Sequence, residues 1–170
     1  MKNFEFKKLA HEDLPLLHSW MKRPHLQGYW AEQTIQDYES FKEKYKGAIE
    51  SEEVTPYLVM LQGKPIGYIQ SYKVDGKTFG IDQFIAVPEF INKGLGSMFV
   101  KEFSDELLIN QKATRVITDP SVLNLRAQKA YEKAGFKKLE VVQGADGEVL
   151  MMEKKRRESK TQSKKIKKAS

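Results

Sequence analysis

Asn124-Leu125-Arg126-Ala127-Gln128-Lys129-Ala130-Tyr131-Glu132-Lys133-Ala134-Gly135-Phe136 is the stretch from which the fold is read. Asn124, Ala127 and Tyr131 recur at i, i+3 and i+7, so one helix face carries all three. Gly135 stops that helix and Phe136 opens the next segment. About thirty residues upstream, Asn92-Lys93-Gly94-Leu95-Gly96-Ser97 separates an apolar, strand-like run from an amphipathic helix.

Working outward, residues 4–9 alternate partly and predict a first strand. Residues 12–21 predict a short helix with Leu14, Leu17 and Met21 on one face, ended by Pro24. A polar and aromatic loop follows from His25 to Gln33. Thr34 is a plausible N-cap for a helix over 35–49, with Ile35, Tyr38, Phe41 and Tyr45 at helical spacing. Residues 55–61 and 65–72 read as strands around a tight turn at Gln62-Gly63-Lys64. Asp75-Gly76 marks another hairpin, and 79–87 is a long strand. A helix over 94–109 buries Leu95, Phe99, Phe103 and Leu107. A short strand spans 115–118. Beyond the helix quoted above, strands at 136–142 and 149–153 flank an Asp146-Gly147 turn. The order β-α-α-β-β-β-α-β-α-β-β describes one α/β domain over residues 1–153, without an internal repeat.

The 170 residues are 40% apolar, enough for one domain with a sizeable core. No apolar run approaches ~18 residues, and residues 1–5 lack the apolar segment of a signal peptide. There is no cysteine, which excludes disulfides and thiol catalysis and is compatible with the expected cytoplasmic location. The net charge of +6 is unevenly spread. Residues 154–170 hold nine Lys or Arg and one Glu, whereas residues 1–153 hold 20 basic and 22 acidic side chains. The basic character therefore belongs to a tail, expected to be disordered because Ile166 is its only large apolar residue. The slightly acidic body leans toward a cationic substrate. Through Lys154-Lys155-Arg156-Arg157 and Lys164-Lys165-Ile166-Lys167-Lys168 the tail could touch nucleic acid or an anionic membrane surface. It could equally be a solvated extension.

A helix N-terminus leaves free backbone N–H groups and a partial positive charge, and so suits a pyrophosphate. Gly94 and Gly96 would let the backbone approach it, with Lys93 as a nearby cation. An ordinary strand-to-helix turn is the alternative. The motif is not a Walker loop, because no Gly-Lys-Ser/Thr follows. Transfer of an acyl group from a thioester to an amine needs donors for the oxyanion and a proton for the departing thiolate. The phenol of Tyr131 suits the second need, and Asn124 could bond the amides of a pantetheine arm. Packing for Ala127, Ala130 and Tyr131, and helix capping for Asn124, are the alternative. Together the two segments suggest an enzyme that uses acetyl coenzyme A.

The spacing N-x-x-A-x-x-x-Y-x-x-x-G-F, with the glycine loop before it, resembles the GNAT superfamily of N-acetyltransferases over roughly residues 4 to 153. The likeness implies a central, mixed, mostly antiparallel sheet of about seven strands flanked by about four helices. It implies that Asn92, Lys93, Gly94, Leu95, Gly96 and Ser97 bind the pyrophosphate. It places the pantetheine against the backbone of Ile85, Ala86 and Val87, and makes Tyr131 the general acid. Where that superfamily usually carries Gln or Arg, three residues before the first glycine, this chain has Ile91. One side-chain contact is lost and the backbone donors remain.

Several further segments, in order, look like the aminoglycoside 6'-N-acetyltransferases: Val54-Thr55-Pro56-Tyr57, residues 65–72, Gly80-Ile81-Asp82-Gln83, Lys93-Gly94-Leu95-Gly96, and Thr118-Asp119-Pro120-Ser121. His25 with Tyr29-Trp30 fits the same group. The implied acceptor is a polycationic amine, attacked directly in a ternary complex. A carboxylate in mid-strand is costly unless it faces a cleft or a partner, which makes Asp82 a candidate general base or amine anchor. A salt bridge to a neighbouring strand is its other reading. Asp119, at the C-terminal end of a short strand, is a candidate ammonium contact or simply a turn residue. Tyr29, Trp30 and Tyr72 could wall the acceptor site, with Gln83 beside Asp82, or could belong to the core. Glu32, Asp37, Glu39 and Glu43 would add negative potential there, or form a solvated helix face. Tyr57 and Tyr68 are expected to pack the sheet. His11, His18 and His25 show no metal-ligand pattern, and no serine-nucleophile elbow is present. Acylation of a siderophore precursor or another small amine is the second enzymatic reading. A noncatalytic coenzyme-binding module with a nucleic-acid-binding tail is the third. A monomer or homodimer is expected.

Overall fold

The computed structural model describes residues 3–26 and 37–158. Its strands are β1 (Glu5–Lys8), β2 (Val54–Leu61), β3 (Lys64–Lys73), β4 (Thr78–Ile85), β5 (Arg115–Thr118), β6 (Lys137–Gly144) and β7 (Gly147–Lys155). They form one sheet in the order β1-β2-β3-β4-β5-β7-β6. Only the β4–β5 pair is parallel. The helices are α1 (Leu14–Met21), α2 (Tyr38–Glu50), α3 (Leu95–Asn110) and α4 (Leu125–Lys133). The α/β class, the strand number and the helix number agree with the sequence expectation.

Neighbouring residues of a strand point to opposite faces, and the apolar content is divided accordingly. Val59, Ile69 and Ile81 join Phe99, Val100 and Phe103 of α3 and Tyr131 of α4 in one core. Leu58, Tyr68 and Phe84 join Leu17 and Trp20 of α1 and Phe41 and Tyr45 of α2 in the other. In that second layer Tyr68 stacks on Phe84, with centroids 5.3 Å apart.

The parallel pair positions the site. Its ladder has three rungs, Thr78↔Arg115, Phe79↔Val116 and Gly80↔Ile117, although β4 continues to Ile85. The reason lies in the residues after β5. Pro120 has no N–H to extend the ladder. Its carbonyl accepts from Leu150 N–H, and Ser121 bridges to Val149. The chain is thereby drawn toward β7 and away from β4. A slot opens beside residues 82–85.

Three boundaries differ from expectation. Residues 11–13 form a 3-10 turn, and α1 starts only at Leu14, with Pro15 in its first turn where no N–H is needed. Helix α2 starts at Tyr38 and is capped by Asp37, which accepts from Glu39 N–H and from the Ser40 hydroxyl. Thr34 and Ile35 lie outside the described residues. Strand β7 runs on to Lys155, so Lys154 and Lys155 belong to the sheet. Lys154 pairs with Val116, and its ammonium meets Asp105 at 2.8 Å and the Ser104 hydroxyl at 2.9 Å. Residues 159–170 lie outside the described residues.

Candidate active site

Two helix N-termini face the slot. At α3, Gly94 is the N-cap with φ +77, a left-handed conformation that suits glycine. The first intrahelical bond runs from Met98 N–H to Gly94 O. The N–H groups of Leu95, Gly96 and Ser97 therefore point out of the helix end without a helical acceptor. A Cβ on Gly94 would meet nothing within 4 Å, and one on Gly96 only Ile85 Cδ1 at 3.5 Å. The Ser97 hydroxyl is already donated to Gly94 O, which leaves its backbone N–H for a ligand. At α4, Asn124 is the N-cap, and its Oδ1 accepts from Ala127 N–H at 3.2 Å. Capping uses only that oxygen, and the Asn124 amide nitrogen remains for a partner.

Between these helix ends lies a cleft of about 450 Å³. Its floor is Gln83, Phe84 and Ile85 of β4, and its walls include Ile91, Asn92, Gly94, Gly96, Ser97, Asn124 and Ala127. Arg126, Lys129 and Lys133 of α4 also line it. They recur at i, i+3 and i+7, so one helix face aims three cations at the cleft. None of the three has an ion-pair partner among the described residues. His25 Nε2 donates to Ile85 O at 2.9 Å, since a carbonyl can only accept. Arg23 donates to Ala86 O.

The opposite face of β4 carries Asp82. Gln70 is its cross-strand partner and donates Nε2–H to Asp82 Oδ2 at 3.0 Å. Burial first, and repulsion from Asp119 second, raise the Asp82 carboxyl to about 6; the Gln70 hydrogen bond pulls the other way. Asp119 stands two residues past the last rung on β5, as Asp82 does on β4. It is exposed at the end of the strand, and burial of its carboxyl against the sheet holds it above its ordinary range. Tyr72 lies across Gly80, where a Cβ would come within 2.0 Å of the ring. Its phenol is raised by burial, then by the charges of Asp82, Asp119 and Tyr131, which places it in the same cluster.

Tyr131 is 4% exposed and packs edge-on to Phe136. Burial raises its phenol well above the usual range, opposed by hydrogen bonding with Thr118 and Gln83. Thr118 in turn donates to Ile81 O at 3.1 Å, at the point where the ladder ends. Tyr131 also feels the charges of Asp82 and Asp119 through the slot.

The expected site residues thus fall into groups. Ile85, Asn92, Gly94, Gly96, Ser97 and Asn124 line the cleft, with Gln83 at its floor. Lys93 is exposed beside it, and Leu95 packs its side chain on the core. Ala86 and Val87 direct their N–H groups to Ile66 O. Asp82, Asp119, Tyr72 and Tyr131 cluster around the slot. Tyr29, Trp30 and Glu32 lie outside the described residues. Arg126, Lys129, Lys133 and Gln70 were missed. The i, i+3, i+7 spacing of the three cations was the available signal. No helix among the described residues is long and apolar enough to cross a membrane, and they contain no cluster of His, Asp or Glu fit for a metal.

An opened parallel pair, a helix end with free N–H groups on one side and a pair of carboxylates on the other define a class. Residues 10–143 match the acetyltransferase (GNAT) domain, and the chain belongs to that family. It is 35% identical over 158 residues to aminoglycoside N(6')-acetyltransferase type 1 of Klebsiella pneumoniae, covering 85% of this chain and 79% of that protein. The structure of AAC(6')-Ib in complex with paromomycin and acetyl-CoA superposes with a TM-score of 0.83 at 34% identity, covering 91% of this chain and 94% of that one. A lysine N-acyltransferase, MbtK, of Mycobacterium sp. (strain MCS) is 24% identical over 72% of this chain and 54% of its own length.

Proposed function

We propose that this protein transfers the acetyl group of acetyl-CoA to the 6'-amine of an aminoglycoside, by direct attack in a ternary complex. The observation that carries the acceptor half is the pair Asp82 and Asp119 beside the slot, both held above the ordinary carboxylate range. Two partly desolvated carboxylates close together favour a multiply charged cation between them. The relatives named for aminoglycosides match this chain at 35% identity, against 24% for the lysine acyltransferase, which supports the same choice over acylation of a smaller amine.

The donor fits the cleft. The N–H groups of Leu95, Gly96 and Ser97 suit its pyrophosphate. Arg126, Lys129 and Lys133 add charge along the phosphate-bearing end. Gln83, Ile85 and Asn124 offer polar groups to the pantetheine arm. The thioester then reaches the slot, where Asp82 stands on the far side. The acceptor enters as an ammonium. Asp82 takes its proton, and the nitrogen lone pair attacks the carbonyl carbon. The tetrahedral intermediate collapses with rupture of the C–S bond, the proton still carried by the nitrogen passes to the departing thiolate, and Tyr131 donates a hydrogen bond to that sulfur. Because burial holds that phenol firmly protonated, its help is a hydrogen bond that strengthens as charge grows on the thiolate.

The test is an acceptor screen with thiol release as readout. Kanamycin and related aminoglycosides should react, and product analysis should place the acetyl group on the 6'-amine. Preference for lysine or linear polyamines over every aminoglycoside would overturn the acceptor assignment and leave the donor half standing.

A further inference from the structure

The polar side chain nearest the reacting carboxylate belongs to neither substrate site. Gln70 sits directly opposite Asp82 across the β3–β4 ladder. Its Nε2 donates to Asp82 Oδ2 at 3.0 Å. Its Oε1 accepts from the Tyr68 hydroxyl at 2.7 Å. Tyr68 is 0% exposed and fixed from two sides, stacked on Phe84 and edge-on to Tyr45 with centroids 6.1 Å apart. An amide has two nearly isosteric ends, and the wrong end would turn a carbonyl toward the carboxylate. The carboxylate, an acceptor only, requires the N–H end, and the Tyr68 hydroxyl, donating to Oε1, holds the amide in that orientation. The second oxygen of Asp82, Oδ1, has no hydrogen-bond partner among the described residues. No buried side-chain polar atom is left unsatisfied among them, so Oδ1 keeps some exposure on that face of β4.

We propose that Gln70, oriented by Tyr68, is a positioning residue that pins one oxygen of Asp82 and presents the other to the acceptor's ammonium. This rests on Asp82 acting on the acceptor, as argued above. The groups that face Asp82 are Asp119 from the end of β5, Tyr68 and Tyr72 from β3, Tyr45 from α2 and Tyr131 from α4. Asp119 favours protonation of Asp82, and the Gln70 N–H favours the carboxylate. Gln70 therefore sets both where the base points and the pH at which it becomes a base.

The test is Gln70→Met, which keeps the length and removes the donor, together with Tyr68→Phe, which removes one oxygen from a packed ring. Titration of carboxyl-labelled aspartate by NMR, with Asp82→Asn to identify the resonance, reads the base directly. Gln70→Met should move the Asp82 midpoint up by about one pH unit, the size of a lost hydrogen bond to a charged group. The acid limb of kcat/KM should follow, with donor affinity unchanged. Tyr68→Phe should shift both the same way by less. A midpoint that stays in place in either folded variant overturns the proposal, as does an activity loss uniform across pH. If Gln70→Met fails to fold, Tyr68→Phe alone decides. Full activity in Asp82→Asn would instead sink the reading on which this one rests.

Discussion

Asp82 at neutral pH is a charge kept where charge is unwelcome. Its folded pKa of about 6 lies above the usual ~3.9 of an unfolded aspartate. For a group raised in this way, stability is greatest below the unfolded value. It falls as pH rises between about 4 and 6, and is flat above that. Asp82→Asn should therefore raise Tm at pH 7.5 by about 3–6 °C while cutting kcat/KM on kanamycin roughly 10²-fold. The Tm difference should vanish near pH 4, and paired melts at the two pH values check it. Tyr131→Phe makes the complementary case. It should lower kcat about 10²-fold and leave the Kd for acetyl-CoA nearly unchanged, as a direct binding titration would reveal.

At the scale of elements, α4 does three jobs with three faces. Asn124 closes its first turn and borders the cleft, Tyr131 and Gln128 are buried, and Arg126, Lys129 and Lys133 line the cleft. Reversing Lys129 and Lys133 to Glu should weaken coenzyme A binding about tenfold at low salt. That loss should shrink as ionic strength rises, which calorimetry at two salt concentrations can measure. What was legible beforehand divides along the same lines. The face of Asn124, Ala127 and Tyr131 and the glycine turn before α3 are local patterns, so spacing sufficed to find them. The cations of α4 are just as regular in sequence, but solvation explains such a row equally well. Only the diverging β4 and β5 turn that row into a cleft wall. Gln70 looked like an ordinary alternating strand residue, since nothing local says which residue of β4 it faces. Register is a tertiary fact.

At the scale of the whole molecule, the seven-stranded sheet ends later than its composition implied. A run of basic residues reads as tail, yet Lys154 is anchored in the fold by Asp105 and Ser104, and Arg156 N–H reaches Thr114 O. A chain ending at Glu158 should keep the Tm of the full chain. One ending at Glu153 loses two rungs opposite β5 and the ion pair to α3. It should melt several degrees lower, by about 2–4 °C for each kcal/mol removed. Under the proposed reaction, the short ladder between β4 and β5 bears on traffic as well as chemistry. A sheet perforated beside one strand works as a partition with a hatch, and each reactant has its own door. Spent coenzyme A should then compete with the donor but not with the acceptor in initial-rate patterns. An acetylated product should then leave by its own side while the carrier is still in place.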